Sequence, residues 1–339
     1  MSHEVESVAW VKTVPWHGLG FKVSGDLTPA QMLKAAHLDW TVSKRPMFIG
    51  DWKQDGEKKT AVQGAKPMLS KMSYSLVRDS DNSELSTVGQ GYNPVQNKEA
   101  LDFFKKFVEA GKMTMETAGS LYYGRYVWAL AKIGQNFTLA GGDKIEGYLL
   151  LCSPHVHGKS LIAKFTPIRV VCWNTLSAAI GADWGKHGGG AAGTFRMPHS
   201  MKFDDTTKEA AEQALGIAKG QMEAFEEVAT KLSKKKLKAD EAEAYFFEVL
   251  RLDPKEVMNE NGKGKGRKMV DKFQAALTHA PGQELSTAKG TVWGALNAVT
   301  YVVDHQMGLT RDIGLKNAWL GYTDAMKTRA LNLAIQKAK

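Results

Sequence analysis

The sequence predicts an α+β fold: an antiparallel sheet core with packed helices, followed by a helical C-terminal region. Three observations lead there. Apolar and polar residues alternate along several short runs before residue 203, as in half-buried strands. Tight turn signals such as "DSDNS", "YYG" and "PHVHGK" separate those runs. From about residue 204 the composition changes to long Ala-, Glu- and Lys-rich stretches with helical spacing. Three parts follow: an N-terminal arm over 1–27, an α+β core over 28–203, and a helical region over 204–339. A basic flexible linker, "NENGKGKGRK", falls near 259–268.

Taken in order, "VPWHGLGFKV" is expected as loop or arm, with the Trp16-His17 pair inside it. "LTPAQMLKAAHLDW" opens a helix with Thr28 as N-cap and Pro29 at the first helical position. "TVSKRPMFI" is a strand whose Pro46 requires an edge or a bulge. "MSYSLVRDSDNSELSTVG" is a hairpin. Asn93 before Pro94 marks a turn, and Asn97 is expected to cap a helix carrying Phe103, Phe104, Phe107 and Val108 on one side. "METAGSLY" and "GRYVWALAKI" are strands joined through Tyr123-Gly124, and "IEGYLLLCSP" and "SLIAKFTPIRVVCW" are two more. "NTLSAAIGA" begins a helix and "GKHGGGAAGTFRMPHS" is a glycine-rich connection. In a regular strand Lys164 and Arg169 lie on opposite faces, so a bulge at Pro167 is expected to bring both to one groove.

Composition narrows the chemistry. Apolar content of 43% and charged content of 24% belong to a folded soluble chain, and a net charge of +9 favours a polyanionic partner. Two cysteines cannot make a disulfide framework. The first residues lack a secretory pattern and no apolar run is long enough to span a bilayer, so a cytoplasmic location with reduced thiols is expected. His155, His157 and Cys152 fall short of a structural zinc site, which needs four ligands. Cys172, flanked by "IRVV" and a tryptophan, reads as a small buried residue rather than a nucleophile. No phosphate-binding glycine motif and no catalytic carboxylate cluster is found. The chain is therefore expected to be a non-enzyme without cofactors or metals.

Basic and aromatic residues remain. Lys44, Arg45, Arg125, Lys159, Lys164 and Arg169, interleaved with Tyr122 and Tyr123, are the candidate DNA-binding set. Cations track a phosphate backbone, and aromatic faces accept unpaired bases.

"GQGYNPVQNKEALDFF", "ETAGSLYYGRYVWALAKI", "FTPIRVVCWNTL" and "TVWGALNAVTYVVDH" together resemble the phage/plasmid-like protein family, an uncharacterised family of phages, prophages and plasmids. The resemblance implies a mobile-element origin and brings no catalytic residues with it. At the level of topology the hairpin, helix and further antiparallel strands are similar to the ββα-type core of single-strand annealing recombinases. That likeness implies an ATP-independent annealing or recombination protein that binds single-stranded DNA and forms a ring or filament of identical copies. A single-strand binding protein or exonuclease would be its accessory partner, and no membrane is expected. The alternative is a counter-defence or host-factor-binding protein, with "VWGALNAVTYVVDH" as the docking surface.

Overall fold

The computed structural model describes residues 5–11, 20–55, 57–62, 66–109, 113–169, 174–175, 194–206, 209, 218–253, 266–307 and 322–339. Trp16-His17, the end of the "IRVVCW" run with Cys172, the expected helix after Asn174 and most of the basic linker lie outside these residues.

Among the described residues thirteen strands form three sheets. The main sheet runs β12 (Asn174–Thr175), β11 (Ser160–Arg169), β10 (Asp143–Pro154), β9 (Tyr126–Leu139), β8 (Met113–Leu121), β1 (Val5–Trp10), β2 (Phe21–Lys22), and β13 (Thr194–Pro198) also pairs with β11. All of its pairings are antiparallel except β1 with β2, so the sheet is mixed rather than purely antiparallel. Val5–Trp10, expected as part of a loose arm, is a strand against β8. Val8 and Ala9 explain this: both are buried, Val8 on one face and Ala9 on the other.

A second sheet holds β3 (Val42–Ile49), β6 (Met68–Arg78) and β7 (Ser83–Gly89) in the order β3-β6-β7, and β4 (Trp52–Asp55) pairs with β5 (Lys58–Ala61). Pro46 sits on the edge strand, and the register shifts between Pro46 and Phe48, as a proline without an N–H requires.

Helices cover one face of the main sheet from both ends. Thr28 caps α1 (Pro29–Ala35), accepting a hydrogen bond from the Gln31 N–H while Gln31 returns one to the Thr28 backbone. In α2 (Asn97–Glu109) the cap differs from expectation. The Gln96 N–H is held by Glu99, which frees the Asn97 amide to donate to the carbonyls of Leu38 and Trp40. Met32, Leu33, Phe103 and Phe104 pack on Val127, Ala129, Leu149 and Leu151 at this end.

At the other end lie α3 (Ala218–Lys234), α4 (Ala239–Leu250), α5 (Arg267–His279), α6 (Val292–Tyr301) and α7 (Tyr322–Lys337), with a π-helical turn over Val302–Gln306 after α6. Phe137, Leu139, Ile145 and Phe165 of the sheet share one core with Phe225, Trp293 and Val299 of the helices. Every residue of α6 from Val292 to Thr300 is buried. Its apolar surface is core, not the docking face expected of it, because a helix apolar all round is covered on all sides.

Candidate nucleic-acid interface

Two turns at one end of the main sheet build the site. The β8–β9 connection carries Tyr122, Tyr123 and Gly124 in succession at φ of 54°, 58° and 83°. Left-handed backbone costs a tyrosine about 1–2 kcal/mol, so neighbouring contacts must hold the turn. Gly124 supplies one: a Cβ there would stand 3.2 Å from Arg78 and from the Trp40 ring. The Tyr122 ring meets Tyr126 edge-on at 5.7 Å. The outcome is a Tyr123 that is 58% exposed, two residues from an exposed Arg125.

The β10–β11 turn lies alongside. The His155 N–H donates to the Arg125 carbonyl at 2.8 Å, and the His157 N–H donates to Ser86 of β7 at 3.2 Å. Lys159 closes this turn and is exposed. Burial raises the Tyr126 phenol's pKa, and the charges of Lys159 and Arg125 both oppose that rise, so both cations act on one hydroxyl. Tyr122, Tyr123, Arg125 and Lys159 thus form one basic-aromatic group.

The other four candidates are elsewhere. Lys44 is half-buried, donating to the carbonyls of Gln90 at 2.6 Å and Tyr92 at 3.1 Å, so it is occupied inside the second sheet. Arg45 is exposed but bonded to Asp79, Asn82 and Ser43. Lys164 is paired with Asp324 of α7 at 2.6 Å with its side chain 12% exposed, and burial lowers its pKa against the pull of that carboxylate.

Arg169 is fully buried. It donates to both Asp143 oxygens at 2.7 Å and to the Gly282 carbonyl at 2.9 Å, with Trp293 beneath it. Asp143 also accepts from Thr287 and the Trp293 indole. This arginine joins sheet to helices and cannot reach a phosphate. Nor does Pro167 bulge: pairing with β10 is unbroken from Ile145↔Arg169 to Cys152↔Ile162. Pro167 lies between the stretches of β11 that pair with β13 and with β12, where no ladder bond is asked of it. Lys164 and Arg169 therefore stay on opposite faces.

Sequence reasoning missed the buried joint behind the turns. His155 Nε2 donates to Asn97 Oδ1 at 2.9 Å, its ring lies 5.5 Å from Trp40, and burial pushes its pKa down to about 3. His199 stacks on Tyr92 at 4.6 Å, and the Tyr92 hydroxyl donates to the Pro154 carbonyl. Only the turn residues near Asn93 hinted at this, since His155 and His199 are far apart in sequence. Next to the joint, a cleft of about 640 Å³ is lined by Glu6, Phe21, His37, Trp40, Arg78 and Asp81. Arg78 donates to Glu6 and Asp81 and stacks 5.3 Å over Trp40, so the cleft's cation is already neutralised.

A family model described as a domain of unknown function, DUF932, matches residues 84–328, well over half of the chain. The chain belongs to the DUF932 family. The matched part of this DUF932 chain contains both turns, the Arg169–Asp143 pair and most of the helical region, whereas Lys44 and Arg45 precede it. No curated protein and no solved structure matches the chain. Among the described residues no helix is long and apolar enough to cross a membrane.

Proposed function

We propose that this DUF932 chain binds single-stranded DNA through the two turns, as an ATP-independent annealing or recombination protein of a phage or plasmid that works as an oligomer. The observation that supports this reading is the grouping of an exposed Tyr123 with Arg125 and Lys159 at one sheet end. Exposed aromatic faces stack unpaired bases irrespective of sequence, and flanking cations neutralise the backbone between them. The interface is smaller than the sequence suggested, because Lys164 and Arg169 are used inside the fold. Fluorescence anisotropy of a labelled oligo-dT, titrated at rising salt, tests the reading. Binding at ~50 mM salt that weakens steeply towards ~200 mM is expected; no binding at the lower concentration ends it.

A further inference from the structure

The second sheet carries a surface that the single-strand reading does not use. β3 and β6 continue past the Pro46 bulge as a two-stranded ribbon with Phe48 opposite Leu69 on one face and Ile49 opposite Met68 on the other. All four are 51–63% exposed, and Met72 is 81% exposed. Taking roughly 200 Å² for a fully exposed large side chain, the five together present on the order of 600 Å² of apolar surface, divided between the two faces of the ribbon. The same segment is basic beyond the occupied Lys44 and Arg45: residues 50–72 hold five Lys against three Asp or Glu. Lys53, Lys58, Lys66 and Lys71 are exposed, and none takes part in an ion pair among the described residues.

Those two properties select the occupant. A second copy docked face to face would cover only about half of this surface on each partner, below what a specific dimer needs, and would bring like charges together. An anionic partner instead meets the unpaired lysines. These side chains are aliphatic and thioether groups with one phenyl, the types that wedge between stacked base pairs rather than the flat rings that cradle single bases. A two-stranded ribbon also fits a duplex groove. We propose that the β3–β6 ribbon, with the β4–β5 hairpin that follows it, is a duplex-DNA arm, the exposed apolar side chains where β3 ends and β6 begins wedging between base steps and the arm's lysines lying on the adjoining phosphates. Phe48 lies six residues along β3 from Val42, the partner of Arg78, or about 20 Å at ~3.3 Å per residue, and the arm does not depend on the turn surface binding single strands.

The test uses the full chain and a ~25-base-pair duplex labelled at both ends. Wild-type protein should shorten the end-to-end distance as a kink of roughly 20–90° does. The double substitution Phe48→Ser/Leu69→Ser should abolish the bend while the melting temperature stays unchanged. Replacing the four lysines by Ala should lower the salt slope of duplex binding by about three to four. Oligo-dT binding measured in parallel separates the two surfaces: its failure alone removes the single-strand reading and leaves the bend. A straight duplex with wild type, or a bend surviving Phe48→Ser/Leu69→Ser, overturns the arm. So does a dimer that this double substitution dissolves, or flotation with phosphatidylserine vesicles that it abolishes.

Discussion

Asp143 and Arg169 show what a buried charge does in this molecule. Both are 0% exposed, and each satisfies the other together with Thr287, Trp293 and Gly282. Removing one partner strands the other in low dielectric. Asp143→Asn should therefore cost about 3–5 kcal/mol in a denaturant titration. A loss below ~1 kcal/mol would mean that solvent reaches the pair. His155 gives a second prediction. Its pKa falls from the ordinary 6.5 to about 3 through burial, so below pH 6.5 the unfolded chain takes up a proton that the folded one refuses. Stability present above pH 6.5 is lost as pH falls from there towards 3. His155→Gln, which keeps a donor for Asn97, should flatten the drop in melting temperature between pH 7 and pH 5 by about half or more, with His199, also lowered by burial, supplying the rest. An unaltered pH profile would show that His155 is not the group responsible.

Turns and strands divide into those whose signal is local and those whose signal is not. The Thr28-Pro29 start, the Pro46 bulge and the "DSDNS" hairpin were legible because each follows from the geometry of a few adjacent residues. The fates of Lys164 and Arg169 were not, because Asp324 and Asp143 lie 160 and 26 residues away and nothing in β11 announces them. Asn97 deceived for the same reason: its partners Leu38, Trp40 and His155 belong to other elements. The candidate site was half legible, since a turn between strands is solvated and its cations stay free, whereas a cation within a central strand is buried and must be paired. The turn itself is testable. Gly124 sits at φ 83° against Trp40 and Arg78, so Gly124→Ala is strained and crowded at once. It should lower the melting temperature and weaken oligo-dT binding together, while Tyr123→Ala weakens binding by about 1–3 kcal/mol at unchanged stability. Equal and full binding by both variants would remove Tyr123 from the interface.

On the scale of the whole molecule, sheet and helices are one body. Phe137, Ile145 and Phe165 share a core with Phe225 and Trp293, the Arg169–Asp143 pair of β11 and β10 reaches Gly282, Thr287 and Trp293, and from the opposite face of β11 Lys164 pairs with Asp324 of α7. Calorimetry should accordingly show a single unfolding transition; a helical region melting separately from the sheet would contradict the shared core. The same packing is why only the two turns offer exposed members of the basic-aromatic set apart from Arg45, and the central claim rests on them. Its most direct test is the salt dependence of oligo-dT binding by wild type and by Arg125→Ala/Lys159→Ala. With about one phosphate contact per cation, the slope of log affinity against log salt should fall by about 1.4 in the double variant, ~0.7 per contact on a single strand, while Arg169→Ala, where it folds, leaves the slope unchanged. Equal slopes for wild type and the double variant would contradict the account.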